Sequence, residues 1–256
     1  MRDAPFQALQ AAARGARANP SATQRLLIAG ATGVLGNEVL RRLVGMRHYA
    51  TTQVLAREPI TTGLRGVGTT LVPSDDPAGW PPASADTGIV LFDPPRLFYD
   101  RERALWTPSP EQLPALARWM HASGVRTLAV VLPHAQGRLP DALKRGLASL
   151  DEHAVASAGF DRLLIVRSAQ QPPPAAGIGW LPAVARWMLS VFKYMVPSSE
   201  QPVRSPKVAE FVSVALQLAP PGIHVASPEL VWRAAQGDLR REVRQWLERP
   251  AAAESA

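Results

Sequence analysis

The chain contains no cysteine. That absence excludes disulfides, thiolate nucleophiles and cysteine-ligated metal sites, so any redox chemistry would need a bound cofactor. It also agrees with a reducing compartment, and a cytoplasmic location is the expectation. Aromatic residues make up only 6% of the sequence, and the three tyrosines are Tyr49, Tyr99 and Tyr194. No apolar run reaches the ~18 residues that a membrane-spanning helix needs. The net charge is +7, yet the arginines are scattered, with no dense basic run interleaved with aromatics. A nucleic-acid surface is therefore not expected, and the charge reads as solubility plus attraction to phosphate ligands. The histidines show no ligand spacing with one another or with acids, so no metal site is expected.

What is present is concentrated near the start. Leu26-Leu27-Ile28-Ala29 runs directly into Gly30-Ala31-Thr32-Gly33-Val34-Leu35-Gly36, three glycines at GxxGxxG spacing. Such a strand delivers the chain to a tight turn, the glycines let backbone approach a pyrophosphate, and the following helix aims its N-terminal amides at the anion. The context agrees: Val39, Leu40, Leu43 and Val44 make an apolar stripe at helical spacing, and Thr52-Gln53-Val54-Leu55-Ala56 supplies a second strand. Together they form a strand, helix, strand unit of the expected ~30 residues.

The same rhythm continues. Strands are predicted at Thr69–Val72, Gly88–Phe92, Arg126–Leu132 and Arg162–Arg167, with helices over 111–123 and 140–158. Alternation of this kind predicts an α/β fold with a doubly wound parallel sheet. After Arg167, the run Gln170-Gln171-Pro172-Pro173-Pro174 takes the chain away from a central strand. From Gly179 to Val196, Trp180, Val184, Trp187, Val191 and Met195 share one helical face. The expected organisation is an N-terminal extension over 1–24, a dinucleotide-binding core over 25–169, a small C-terminal helical lid with closing helices over 170–248, and a tail over 249–256. The helix over 179–196 is read as a core or lid helix packed beside the sheet; an interfacial helix that touches lipid or closes over an apolar substrate is the lesser reading.

The GATGVLG turn, the order of elements and the phrase Gly159-Phe160-Asp161-Arg162-Leu163-Leu164-Ile165-Val166-Arg167 resemble the atypical short-chain dehydrogenase/reductases, closest to their NmrA-like and Tat-interacting-protein-like branches. The resemblance runs from about Arg25 to Leu218 and includes Pro202-Val203-Arg204-Ser205-Pro206-Lys207-Val208-Ala209. It implies a Rossmann fold in which Gly30, Gly33 and Gly36 admit the pyrophosphate and Thr32, Val34 and Leu35 complete the cradle. Arg57, just after the second strand, suits a 2′-phosphate and so implies NADP in preference to NAD. Asp75 falls where the family often places a residue near the adenine.

The departures bear on activity. The family's serine after the fifth strand is replaced by Leu132-Pro133-His134-Ala135-Gln136-Gly137, and Lys144 has Pro140 four residues earlier where the family has tyrosine. Standard alcohol–ketone interconversion is therefore not expected. His134 is the substitute candidate for a proton donor, because imidazole titrates near neutral pH, and Lys144 is a candidate for ribose or phosphate. The implied partners are a dinucleotide and either an apolar small molecule or a protein. The first alternative is a reductase of an apolar carbonyl, enone or quinone; the second is a catalytically silent NAD(P)H-sensing regulatory or assembly protein.

Overall fold

A computed structural model describes residues 24–60, 64–96, 99–132, 152–167 and 203–248. The strands are β1 (Arg25–Ala29), β2 (Thr51–Ala56), β3 (Val67–Leu71), β4 (Thr87–Leu91), β5 (Thr127–Val131), β6 (Arg162–Val166) and β7 (Gly222–Ala226). They form one seven-stranded sheet, all parallel, in the order β3-β2-β1-β4-β5-β6-β7. This is the doubly wound Rossmann arrangement, and its order reverses between β1 and β4. Ligands of such sheets bind outside the carboxyl ends of the strands at that reversal.

The alternation of side chains along each strand feeds two cores. Leu26 and Ile28 of β1, Ile89 and Leu91 of β4, and Ala129 and Val131 of β5 face one layer. That layer holds α1 (Gly33–Gly45) and the C-terminal helices α5 (Ser205–Leu218), α6 (Pro228–Gln236) and α7 (Leu239–Glu248). Leu27, Ala29, Val90, Leu128, Val130, Leu163 and Ile165 face the other, against α3 (Leu113–Ala122) and α4 (Glu152–Ala156). With both faces covered, the central strands are apolar almost throughout, as a buried parallel sheet requires.

Six of the seven strands lie where the sequence puts them, to within a few residues. The seventh does not follow from it, because Gly222-Ile223-His224-Val225-Ala226 is short, polar at its centre and preceded by two prolines. It pairs with β6 from Arg162↔Gly222 to Val166↔Ala226, so the chain returns to the sheet after leaving it. The described part of the expected lid, 203–248, thus supplies the edge strand and the helices beside α1. Arg42 of α1 meets Glu210 of α5 at 3.3 Å across that helix pair. Residues 1–23 of the expected extension over 1–24, the helix over 179–196 with Trp180 and Trp187, and Tyr194 lie outside the described residues. No helix among the described residues is long and apolar enough to cross a membrane.

Candidate nucleotide site at the glycine-rich turn

The turn sits at the carboxyl end of β1, at the reversal point. Gly30 and Gly33 have φ of 77° and 66°, a region that L side chains seldom enter. Clearance is as restrictive as conformation. A Cβ on Gly30 would lie 2.0 Å from the Leu91 carbonyl oxygen, one on Gly36 2.6 Å from that of Gly30, and one on Gly33 2.2 Å from Asp93 Oδ2. All three glycines are needed by the chain's own packing.

The first turn of α1 has amides without intrahelical partners. The residue before it, Thr32, does not cap them with its side chain; its hydroxyl donates to the Asp93 carbonyl. Acids from elsewhere take that role. Leu35 N–H donates to Asp93 Oδ2 at 2.9 Å, and Gly33 N–H donates to Glu102 Oε2 at 3.0 Å. A helix N-terminus favours negative charge, and here two carboxylates supply it.

Both acids come from the long crossover between β4 and α3. Asp93 stands just past the end of β4, the neighbour of β1, which places it opposite the turn. Beyond it, the single helical turn α2 (Asp100–Arg103) carries Glu102. That carboxylate is buried and fully engaged. It accepts from the Arg96 amide at 2.9 Å, from Arg96 Nε at 2.8 Å and from Asn37 Nδ2 at 2.7 Å, besides Gly33. Arg96 in turn lies over the Tyr99 ring, 3.8 Å from its centroid. The crossover then runs over the ends of β1 and β2. Trp106 N–H donates to the Leu55 carbonyl at 2.9 Å, Arg57 N–H to that of Ala104 at 2.7 Å, and Gly30 N–H to that of Trp106 at 3.2 Å. The Trp106 side chain is fully buried, edge-on to Trp80.

Two acids in one site titrate differently. Burial pushes the Asp93 carboxyl above the usual carboxylate range, outweighing the amides of Leu35 and Val34 that favour its charge. Burial also acts upward on Glu102, but the Arg96 side chain and amide, with the Gly33 amide, overcome it and hold that carboxyl below its ordinary value.

The residues expected at the site fall into three groups. Gly30, Thr32, Gly33, Val34, Leu35 and Gly36 form the turn, with Thr32 buried and Val34 about half exposed. Arg57 and Asp75 are brought together, Arg57 Nη2 donating to Asp75 Oδ1 at 2.7 Å, and the Trp106 indole N–H donates to that same oxygen at 3.2 Å. His134 and Lys144 lie outside the described residues. Asp93, Glu102, Asn37 and Arg96 are site residues that did not follow from the sequence. One signal was there: an acid ending the strand that neighbours β1 must land beside a β1 turn. Among the described residues, no group of three His, Asp or Glu side chains could hold a metal ion.

A dinucleotide is the group that this fold implies. The donors suit it, since amides of the turn already hold oxyanions, in the form of carboxylates. The space in this conformation is held by Asp93 and by the crossover, so a pyrophosphate and those acids would compete for one set of amides.

Comparison with protein-family models gives no match, and comparison with curated proteins gives no relative. Solved structures do match. The triphenylmethane reductase of Citrobacter sp. complexed with NADP(H) is 16% identical over 75% of this chain and 65% of that one, with a TM-score of 0.44. The PhqB reductase domain from Penicillium fellutanum is 17% identical over 91% and 76%, with a TM-score of 0.42. MoeE5 in complex with UDP-glucuronic acid and NAD is 12% identical over 78% and 75%, with a TM-score of 0.44. The likeness is one of fold. This chain spans about 65% of the length of the first of them.

Proposed function

We propose that the chain is a nicotinamide-dinucleotide-binding protein of the short-chain dehydrogenase/reductase kind, with NADP preferred to NAD. The observation that carries this reading is the pair of oxyanions on the Gly33 and Leu35 amides, at a turn that only glycine can form, at the reversal point of a parallel sheet. Arg57 supports the choice of NADP. It follows β2, its guanidinium is half exposed, and its partner Asp75 is more exposed still, so the pair is held by no more than about 1 kcal/mol and can open to a 2′-phosphate.

Bound nicotinamide would supply a hydride, and an apolar carbonyl, enone or quinone is the acceptor class that the lack of the family's serine and tyrosine favours. A quinone or enone can take its proton from solvent. His134 is the proposed proton donor where one is needed, and Lys144 the proposed ribose or phosphate contact. A second reading, a catalytically silent NAD(P)H sensor acting on a protein partner, is favoured by one observation: Asp93 and Glu102 of the crossover occupy the amides that a nucleotide would take, so its entry would have to move the crossover.

Calorimetric titration with NADPH and NADH tests binding, and an acceptor panel tests chemistry. Tighter binding of NADPH, lost in Arg57→Ala, supports the cofactor assignment. Turnover of a quinone or enone supports the reductase; binding without turnover favours the sensor. No binding of either nucleotide contradicts both.

A further inference from the structure

We infer that Asp93 and Glu102 form an internal oxyanion cap on the glycine-rich turn, which an incoming dinucleotide must displace. The inference rests on the dinucleotide reading above and adds to it how access is regulated.

The geometry makes the capped and bound arrangements exclusive. Asp93 Oδ2 sits 2.9 Å from the Leu35 nitrogen and fills the space above Gly33, where a Cβ would come within 2.2 Å of it. Glu102 Oε2 takes the Gly33 amide. A phosphate oxygen on either amide would lie against a carboxylate of like charge, with Glu102 buried and Asp93 partly so. One of the two anions has to leave.

The cap is built to exist as a unit. Glu102 carries its own counter-charge, Arg96, bound through both the guanidinium and the amide, so the two can withdraw together without stranding a charge. On one side the cap is anchored by Phe92, 1% exposed, and on the other by Trp106, fully buried. Between those anchors Tyr99, Asp100, Arg101 and Arg103 are exposed. Asp93 is held by the amides of Leu35 and Val34, with Arg96 acting on it only as a nearby charge, and burial pushes its carboxyl above the usual range. Mild acid therefore removes the Asp93 charge first, and with it the repulsion that an incoming phosphate meets there.

The test uses the full chain and three probes, oxidised NADP, inorganic pyrophosphate and adenosine, with wild type, Asp93→Asn and Glu102→Gln. Circular dichroism and tryptophan emission establish that each variant is folded. Asp93→Asn keeps an acceptor for Leu35 and removes the charge, so NADP and pyrophosphate should bind about tenfold more tightly than to wild type, with adenosine unchanged. Glu102→Gln should tighten the same two probes. As pH falls towards the ordinary aspartate value, wild-type affinity should approach that of Asp93→Asn, closing the gap between them. If wild type binds NADP as tightly as both variants at every pH, the cap is wrong and the dinucleotide reading stands. If none of the three proteins binds NADP or pyrophosphate, the dinucleotide reading fails, and the cap with it.

Discussion

Glu102 accepts the amide of Gly33 at 3.0 Å, across 69 residues of sequence. It thereby ties the crossover after β4 to the start of α1, and its remaining lone pairs go to Asn37 and Arg96. Truncation would leave a buried amide without an acceptor and an arginine without its counter-charge. Glu102→Ala should lower stability by about 2–3 kcal/mol at pH 7, read from the urea midpoint. A loss below about 0.5 kcal/mol would contradict the role assigned to it.

The pH dependence of that loss has a definite sign. Glu102 titrates below its ordinary value in the folded chain, so its stabilisation is complete above that ordinary value and fades as pH falls through the folded one. The gap between wild type and Glu102→Ala should therefore shrink on going from pH 7 to pH 3. Asp93 runs the other way. Its carboxyl titrates high, so its contribution is greatest below the ordinary aspartate value and declines as pH rises through the folded one. Asp93→Asn should cost nothing at pH 7 and can add up to about 1 kcal/mol, by removing a poorly solvated charge. Thermal melts of both variants across this pH range check the two slopes.

Trp106 anchors the crossover. It is fully buried, with its ring centroid 4.8 Å from that of Trp80 and its indole N–H on Asp75. Trp106→Ala should cost about 3–5 kcal/mol, and Trp106→Phe clearly less, in chemical denaturation. Equal losses would mean that the hydrogen bond, and not the packing, is the anchor.

The glycines separate by position. Gly33→Ala combines a φ of 66° with a 2.2 Å approach to Asp93 Oδ2, and should destabilise by more than about 2 kcal/mol. Gly45, in the last turn of α1, has nothing within 4 Å of a built Cβ, so Gly45→Ala should be neutral or stabilising by about 0.5–1 kcal/mol. Differential scanning calorimetry of the two distinguishes a turn that demands glycine from one that merely contains it.

Much of this architecture can be read from the residues, and the reason is local. β1, β4, β5 and β6 are continuous apolar runs, and the stripe from Leu35 to Leu43 marks α1 before any tertiary contact is known. β7 escapes because its strand character comes from pairing with β6, not from its own residues. The turn is equally legible, since its glycines answer to backbone geometry. The acids that fill it are not, because what brings Glu102 to Gly33 is the path of the crossover. Asp93-Pro94-Pro95 reads as the exit from a strand, and only the strand order puts that exit beside Leu35. Arg57 and Asp75 are each legible as polar residues near strand ends, but their mutual pairing is a product of the fold.

The most direct measurement is an NMR titration of the wild-type chain with NADPH, following the backbone amides of Gly33 and Leu35. If dinucleotide replaces the two carboxylates, both resonances shift together, in a saturable way, at concentrations that also perturb Trp106 emission. Saturating NADPH that leaves both amides unmoved would mean that Asp93 and Glu102 hold the turn permanently, and that the Rossmann scaffold is kept here for its shape.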